Sequence, residues 1–342
     1  MLRYNVGVLG ATGIVGQEML EILVERNFPY NNLYAIASER SKDKNLTLSN
    51  GKILTVQSLE DFDTAKLDIL LASAGASVSE KYLSKIAANG TIVIDNSSYF
   101  RTDPLVPLVI PEINQNHLKD YKNKNIIANP NCSTIAMLMA IAPLHKKVPI
   151  NKVIVATYQS VSGAGKSALD ELFEQTKDIY NNRSSVHTKK VFTKQIAFNA
   201  IPHIDVFLES GYTKEEWKMN FETKKILATD FNVSATCVRV PVFVSHAMAV
   251  SVEFSKPLSI DEAKTIWQNS FGVSVIDYNQ DEGYVTPVEA TGEDNVFISR
   301  IRKDIALNNG LSFWVVGDNL RKGAALNAVQ IAESIIKNHL NK

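Results

Sequence analysis

A glycine-rich turn ten residues into the chain constrains the fold more than any other feature. Residues 5–9 form a short apolar run. Gly10-Ala11-Thr12-Gly13-Ile14-Val15-Gly16 follows, and then Val15, Met19, Ile22 and Leu23 recur at helical spacing. Glycines allow a tight turn and close backbone approach to a pyrophosphate. The free N–H groups and positive dipole of the new helix then face that anion. The pattern predicts a dinucleotide site on Gly10, Thr12, Gly13, Ile14 and Val15, although the same glycines also suit a tight turn with no ligand. Apolar runs at 33–37, 67–72 and 91–95, with a helical stretch at 78–88, extend the strand–helix alternation. Such alternation predicts an α/β fold with a doubly wound parallel sheet, its strand carboxyl ends gathered at one edge where a ligand can sit.

The chain is long enough for a second domain, since 342 residues correspond to about two. At 45% apolar and 21% charged residues, the composition is ordinary for a globular protein. Lys plus Arg and Asp plus Glu number 36 each, so no net charge draws the chain to nucleic acid or membrane, and neither partner is expected. The apolar run at 135–144 falls short of the roughly 20 residues that span a bilayer. The N-terminus lacks a signal-peptide layout, and two cysteines suit a reducing compartment, so the expected location is cytoplasmic. The sequons at Asn45, Asn96, Asn131 and Asn232 are accordingly read as chance matches.

The pattern changes after about residue 130. Residues 131–144 read as a helix that stops near Pro149, and 153–159 as a strand. Leu169, Leu172, Phe173 and Ile179 mark another helix, 237–244 and 247–254 look like antiparallel strands, and 182–194 reads as a polar surface excursion. Ala324, Ala325, Ala328, Ile331, Ala332, Ile335 and Ile336 form a stripe on a terminal helix. The expected domains are 1–130 for the dinucleotide and 131–320 for catalysis and dimerisation, with the helix at 321–342 packing back onto the first.

Several residues carry candidate chemistry. After the second strand comes Ser38-Glu39-Arg40-Ser41. An acid there takes the ribose hydroxyl of NAD, whereas Arg with hydroxyls takes the 2′-phosphate of NADP. Ser38, Arg40 and Ser41 favour NADP, and Glu39 leaves the strictness of that preference open. Asn129-Pro130-Asn131-Cys132 places a cysteine at a helix start, where the helix dipole lowers a thiol pKa and makes a competent nucleophile. Cys237, inside a strand pattern, reads as a buried inert thiol. Of six histidines, His246 is the best candidate base and His203 the competitor. Arg239 lies seven residues before His246, so both can serve one site only if the strand breaks between them, at Pro241 or Ser245. Gly163-Ala164-Gly165-Lys166-Ser167 resembles the end of a P-loop, but Ser160 stands where the first glycine belongs, which rejects the NTPase reading. No cysteine or histidine spacing suits a metal.

Taken with Gln159-Ser160-Val161-Ser162-Gly163-Ala164-Gly165, the segment from Arg239 to His246, and Gly317-Asp318-Asn319-Leu320-Arg321-Lys322-Gly323, these motifs resemble the aspartate-β-semialdehyde dehydrogenase family from residue 6 to about 335. The resemblance implies a Rossmann domain plus an α+β domain for catalysis and dimerisation. The implied reaction is phosphate-dependent oxidation of L-aspartate-4-semialdehyde to 4-phospho-L-aspartate with NADP, run in reverse in the cell to supply lysine, threonine and methionine. It implies Cys132 as nucleophile, His246 as acid/base, Gln159 as the residue positioning the intermediate, and Arg239 as the carboxylate clamp. Arg101, Asn131 and Lys218 would bind phosphate. Glu215 or Glu216, with spacing favouring Glu215, would meet the substrate, and Ser162, Gly163, Gly165 and Asn319 would lie near the nicotinamide. A homodimer is implied, and a tetramer allowed. N-acetyl-γ-glutamyl-phosphate reductase is the nearest alternative. Glyceraldehyde-3-phosphate dehydrogenase shares the chemistry but not the surroundings of Cys132, and a non-catalytic NADP-binding relative would be expected to lack Cys132 or His246.

Overall fold

Near-continuous apolar runs become the strands of the first sheet, because a strand covered on both faces has no solvent side to alternate with. In the computed structural model, which describes residues 3–181 and 191–340, these are β1 (Tyr4–Leu9), β2 (Tyr30–Ala37), β5 (Gln57–Ser58), β6 (Ile69–Ala72), β7 (Ile92–Asp95) and β8 (Ile126–Ala128). A small hairpin contributes β3 (Asn45–Thr47) and β4 (Ile53–Thr55). The main sheet runs β5-β2-β1-β6-β7-β8 with every pairing parallel. The order reverses direction between β1 and β6, the topological switch point of a doubly wound sheet, and the glycine turn follows β1 directly. The fold is therefore α/β, with a Rossmann-like parallel sheet.

Two units emerge, Met1–Asn131 with Ala324–Lys342, and Cys132–Gly323. In the first, Met19, Leu20, Ile22 and Leu23 of the helix Ile14–Glu25 share one core with Leu326, Val329, Ile331 and Ile335 of the helix Leu326–Ile335. Each such side chain removed from water stabilises the fold by roughly 1.5–3 kcal/mol, which ties the chain's last helix to its first sheet. The exposed Arg26–Glu333 fork at 2.8 Å adds little beside that burial.

The second unit is built on a mixed sheet. Its strands are β9 (Ile150–Gln159), β10 (Asn232–Arg239), β11 (His246–Phe254), β12 (Val273–Val275), β13 (Val296–Lys303) and β14 (Gly310–Gly317), in the order β10-β9-β11-β14-β13-β12. The expected antiparallel pair over 237–244 and 247–254 needs correction. β10 begins earlier and ends at Arg239, and β9 lies between it and β11, parallel to the first and antiparallel to the second. Pro241 lacks an N–H, and Ser245 sits at φ +73°, so 240–245 turns instead of extending the strand. The helix Cys132–Lys147 starts one residue later than the pattern implies and is buried along most of its length. It runs through Pro143, which removes the N–H that Met139 would otherwise receive. One turn away, the indole of the buried Trp267 donates to the Ala140 carbonyl at 2.7 Å. The surface excursion expected at 182–194 falls mostly on 182–190, outside the described residues. No described helix is long and apolar enough to cross a membrane.

Candidate active site

Cys132 is the first residue of its helix and is half-buried, so its thiol sits at the positive end of a long helix dipole. A Cβ placed on Gly323 would stand 3.0 Å from the Cys132 Cβ and 3.4 Å from the Asp318 carbonyl, so only glycine lets that segment lie against the cysteine. Cys237 is wholly buried, its sulfur 3.8 Å from that of Met219, and burial pushes its thiol far above the usual range. It is inert for the reason its strand pattern indicates.

The break between β10 and β11 brings Arg239 and His246 together. β10 ends on Arg239, β11 begins on His246, and a Cβ on Gly163 would lie 3.3 Å from both Arg239 Nη1 and His246 Nε2. Both side chains are buried. Arg239 donates from Nη1 to the Ser160 carbonyl at 2.6 Å. Burial lowers its pKa, while the nearby Glu215 and Cys132 favour the cation. His246 is pushed down to about 3, first by burial and then by the Arg239 charge, so the ring is neutral near pH 7. Its Nδ1 accepts the Ser160 backbone N–H at 3.1 Å and lies 3.0 Å from the Ser160 hydroxyl. Its buried Nε2 has no hydrogen-bond partner among the described residues. The competitor His203 stacks on Phe207 at 4.3 Å, a packing role.

Gln159 ends β9 in register with Arg239. Its Nε2 donates to Glu215 Oε1 and to Thr157 Oγ1, both at 3.3 Å. The other oxygen of Glu215 pairs with Lys218 Nζ at 3.2 Å, one helical turn along, and Lys218 also binds Asp205 at 2.6 Å. Burial works to raise the pKa of Asp205, but the Lys218 contacts outweigh it and hold the carboxyl below its ordinary value. Glu215 and Glu216 differ in what engages them. Glu216 closes the capping box of the helix Lys214–Leu227 with Thr213 and accepts the Cys237 N–H at 3.0 Å, so its carboxylate is spent on architecture. Asn319 accepts from the Ser245 N–H at 2.9 Å and from the hydroxyls of Ser160 and Ser162, and donates back to Ser162. Gly165, at φ +88°, turns the chain from the short helix Val161–Ala164 into the helix Lys166–Tyr180.

The other predicted residues belong to the first unit. Gly10, at φ +85°, adopts a backbone that L side chains rarely take, and a Cβ there would collide with the Ser73 carbonyl at 2.3 Å. The helix Ile14–Glu25 starts without a side-chain cap and with no acid in its first turn, and the Gly13 N–H is taken by the Gly10 carbonyl at 2.9 Å, so the helix start offered to an anion is that of Ile14 and Val15. Thr12 Oγ1 is 3.4 Å from Ser41 Oγ, linking the glycine turn to the segment after β2. Ser38 and Arg40 are exposed. Arg40 makes no hydrogen bond or ion pair among the described residues, whereas Glu39 lies 3.5 Å from Lys42. Arg101 is buried and donates to the Asn96 carbonyl at 2.9 Å, and Asn131 is buried at the end of this unit. No cluster of three or more metal-ligating side chains occurs among the described residues.

Sequence reading gave no site role to Ser160, Asp205 or Gly323, and named Ser245 only as a place for the strand to break. Only Glu216 had a local signal that could have sorted it, since Thr213-Lys214-Glu215-Glu216 spells a capping box.

Residues 5–121 match the family model for the semialdehyde dehydrogenase NAD binding domain, and 141–322 the model for the semialdehyde dehydrogenase dimerisation domain. Aspartate-semialdehyde dehydrogenase of Aquifex aeolicus is 52% identical over 99% of this chain and 100% of its own, and that of Rickettsia typhi is 48% identical over 99% of each. Among solved structures, aspartate semialdehyde dehydrogenase II of Vibrio cholerae superposes with a TM-score of 0.96 at 46% identity, covering 99% of this chain and 100% of that one. A nucleotide-binding parallel sheet, a mixed-sheet unit carrying thiol, imidazole and guanidinium, and full-length likeness to these enzymes agree: the chain belongs to the aspartate-semialdehyde dehydrogenase family of oxidoreductases.

Proposed function

We propose that the protein interconverts L-aspartate-4-semialdehyde and 4-phospho-L-aspartate in an NADP- and phosphate-dependent reaction, through a thiohemiacetal and then a thioester on Cys132, on the route to lysine, threonine and methionine. The carrying observation is the grouping, within one unit, of an accessible helix-start thiol, a buried neutral imidazole with an unpartnered Nε2, and a buried guanidinium. Cys132 attacks the aldehyde carbon, and His246 serves as the acid/base at the resulting oxygen. Arg239 clamps the substrate α-carboxylate with its two-pronged donor, and Glu215 takes the α-amino group. Gln159 orients the acyl group, and inorganic phosphate, held by Arg101, Asn131 and Lys218, cleaves the thioester. The Vibrio cholerae relative was solved in complex with ASA, which supports an aspartyl substrate.

The nicotinamide, when bound, accepts the hydride. Gly10, Thr12, Gly13, Ile14 and Val15 would hold the pyrophosphate, and the uncapped helix start fits that charge. Ser38, Arg40 and Ser41 would take the 2′-phosphate. The pairing of Glu39 with Lys42 supports this, because it draws the carboxylate into an ion pair. Ser162, Gly163, Gly165 and Asn319 are assigned to the nicotinamide end. The enzyme would work in the cytoplasm, which suits its two free thiols, and as a homodimer. The exposed Ile154 and Tyr158 on the second sheet support the homodimer, and a tetramer remains allowed.

The deciding experiment measures NADPH formation from aspartate semialdehyde with and without phosphate, alongside N-acetyl-glutamate semialdehyde. Phosphate-dependent turnover of the aspartyl substrate alone is expected. Preference for the acetylated aldehyde would assign the chain to the alternative chemistry.

A further inference from the structure

We infer that Ser160 is a positioning residue that keeps Nδ1 of His246 unprotonated, so that the resting imidazole presents an N–H from Nε2 and first acts as a hydrogen-bond donor to the substrate oxygen. The inference rests on the proposed placement of His246 at the substrate oxygen and narrows its part in thioester formation from acid/base transfer to hydrogen-bond donation. The Ser160 backbone N–H can only donate, and it points at Nδ1 from 3.1 Å. A proton on Nδ1 would face that N–H head-on, and this outweighs the Ser245 backbone, which favours a ring N–H, so the neutral ring carries its single proton on Nε2. The side chains around Ser160 enforce the arrangement. Asn319 Oδ1 must face the Ser245 N–H at 2.9 Å, which fixes the orientation of its amide. The Asn319 NH₂ then donates to Ser162 Oγ at 2.9 Å, and Ser162 lies 3.0 Å from Ser160 Oγ. This leaves the Ser160 hydroxyl free to donate to Nδ1 at 3.0 Å or to Asn319 at 3.1 Å. Burial and the Arg239 charge keep the ring neutral, so its tautomer decides what it can do.

The consequence concerns the order of proton movements. Neutral His246 with its proton on Nε2 cannot take a proton there from the Cys132 thiol. Cys132 must therefore attack as a thiolate favoured by its helix terminus. The sulfur pair forms the C–S bond, and the carbonyl π pair moves onto oxygen. Nε2–H stabilises that alkoxide without giving up its proton. With a nicotinamide bound to take the hydride, re-forming the carbonyl would leave a thioester with no net proton transfer to His246. Gly163 fits this geometry, because any side chain there would press on Nε2.

The test is nitrogen-15 NMR of the full-length enzyme labelled in histidine, near pH 7, with the His246 signals assigned by their loss in His246→Asn. The expected spectrum has a protonated, pyrrole-type Nε2 and an unprotonated, hydrogen-bonded Nδ1. A proton on Nδ1, or a doubly protonated ring, would overturn the inference without any variant having to fold. In Ser160→Ala the Nδ1 resonance should move, and kcat should fall about 10-fold with the NADP KM within two-fold of the parent. An unmoved resonance with unchanged kcat would remove the hydroxyl from the role. If the parent enzyme shows no aldehyde oxidation, the proposed function fails while the tautomer result still stands or falls on its spectrum.

Discussion

Cys132 and Cys237 are the chain's only cysteines, and their surroundings are opposite. Cys132 opens a helix, keeps contact with solvent, and lies close enough to Arg239 to favour its charge. Cys237 lies mid-strand, has no solvent exposure, and faces the carboxylates of Glu215 and Glu216, which add to the effect of burial against ionisation. The same atom type is poised in one place and silenced in the other, so reactivity follows from what the backbone around it offers. The two glutamates repeat the lesson, since Glu216 is bonded to the cap of its helix and to a strand N–H while Glu215 is bonded to Gln159 and Lys218. So do Lys42, held by carboxylates, and Arg40, which makes no ion pair among the described residues.

Substitution of the two thiols should separate their roles most strongly. Cys132→Ser should lower turnover by about 10⁴-fold or more while leaving NADPH affinity near that of the parent. Cys237→Ala should leave turnover within a few-fold and cost about 1 kcal/mol of stability by denaturant unfolding. Loss of NADPH binding in Cys132→Ser would mean misfolding, and loss of turnover in Cys237→Ala would break the contrast. Alkylation gives a second reading: with iodoacetamide near pH 7, peptide mapping should find Cys132 modified on the order of 10³ times faster than Cys237 until the chain unfolds. Equal rates would mean that the strand opens readily and that its burial is transient.

His246 extends the contrast to acid. Its folded pKa, about 3, lies below the unfolded value of about 6.5, so the unfolded chain takes up a proton first. The fold should lose stability as pH drops from about 6.5 toward 3, by a few kcal/mol at most. His246→Gln should flatten this slope in urea unfolding curves. An unchanged slope would mean that the buried ring is not what titrates.

The glutamates come next in size. Glu215→Gln should raise the KM for the aldehyde roughly 10- to 100-fold, the range of one charge-assisted hydrogen bond. Glu216→Ala should instead cost about 1 kcal/mol of stability through the lost capping box, with KM nearly unchanged. A reversal would return Glu216 to the site.

The parallel sheet, the glycine turn and the helix at Cys132 were legible because each is a local pattern: doubly buried strands are continuous apolar runs, and a glycine triplet before a helical stripe has few uses. The insertion of β9 between β10 and β11 was not legible, since pairing across some 80 residues leaves no local trace. The break between Arg239 and His246 was demanded by side-chain alternation, and both residues named for it, Pro241 and Ser245, lie in the turn. It is made by Ser245 at positive φ, a conformation its residue type does not advertise. Ser160 stayed hidden for a similar reason. Its contribution is chiefly a backbone N–H, which every residue except proline has, and only the fold aims it at an imidazole.

The smallest expected effect compares Arg40 with Lys42. Lys42 is held by Asp61 at 2.6 Å and by Glu39 at 3.5 Å, whereas Arg40 makes no ion pair among the described residues. A phosphate arriving at this loop therefore meets one cation that must leave its partners and one that need not. Both are exposed, so solvent screening limits either contribution to about 1 kcal/mol, or about five-fold in affinity. Arg40→Ala should weaken NADPH by about that factor and leave NADH unchanged. Lys42→Ala should cost NADPH less, through repulsion from the freed Glu39 and Asp61 and not through a lost contact. That residual cost should shrink in 0.5 M salt, which screens carboxylates several ångströms away more effectively than a direct phosphate contact. If titrations show Lys42→Ala to be the more damaging change, the ion pair seen in the structure breaks on binding, and the 2′-phosphate is read by the lysine.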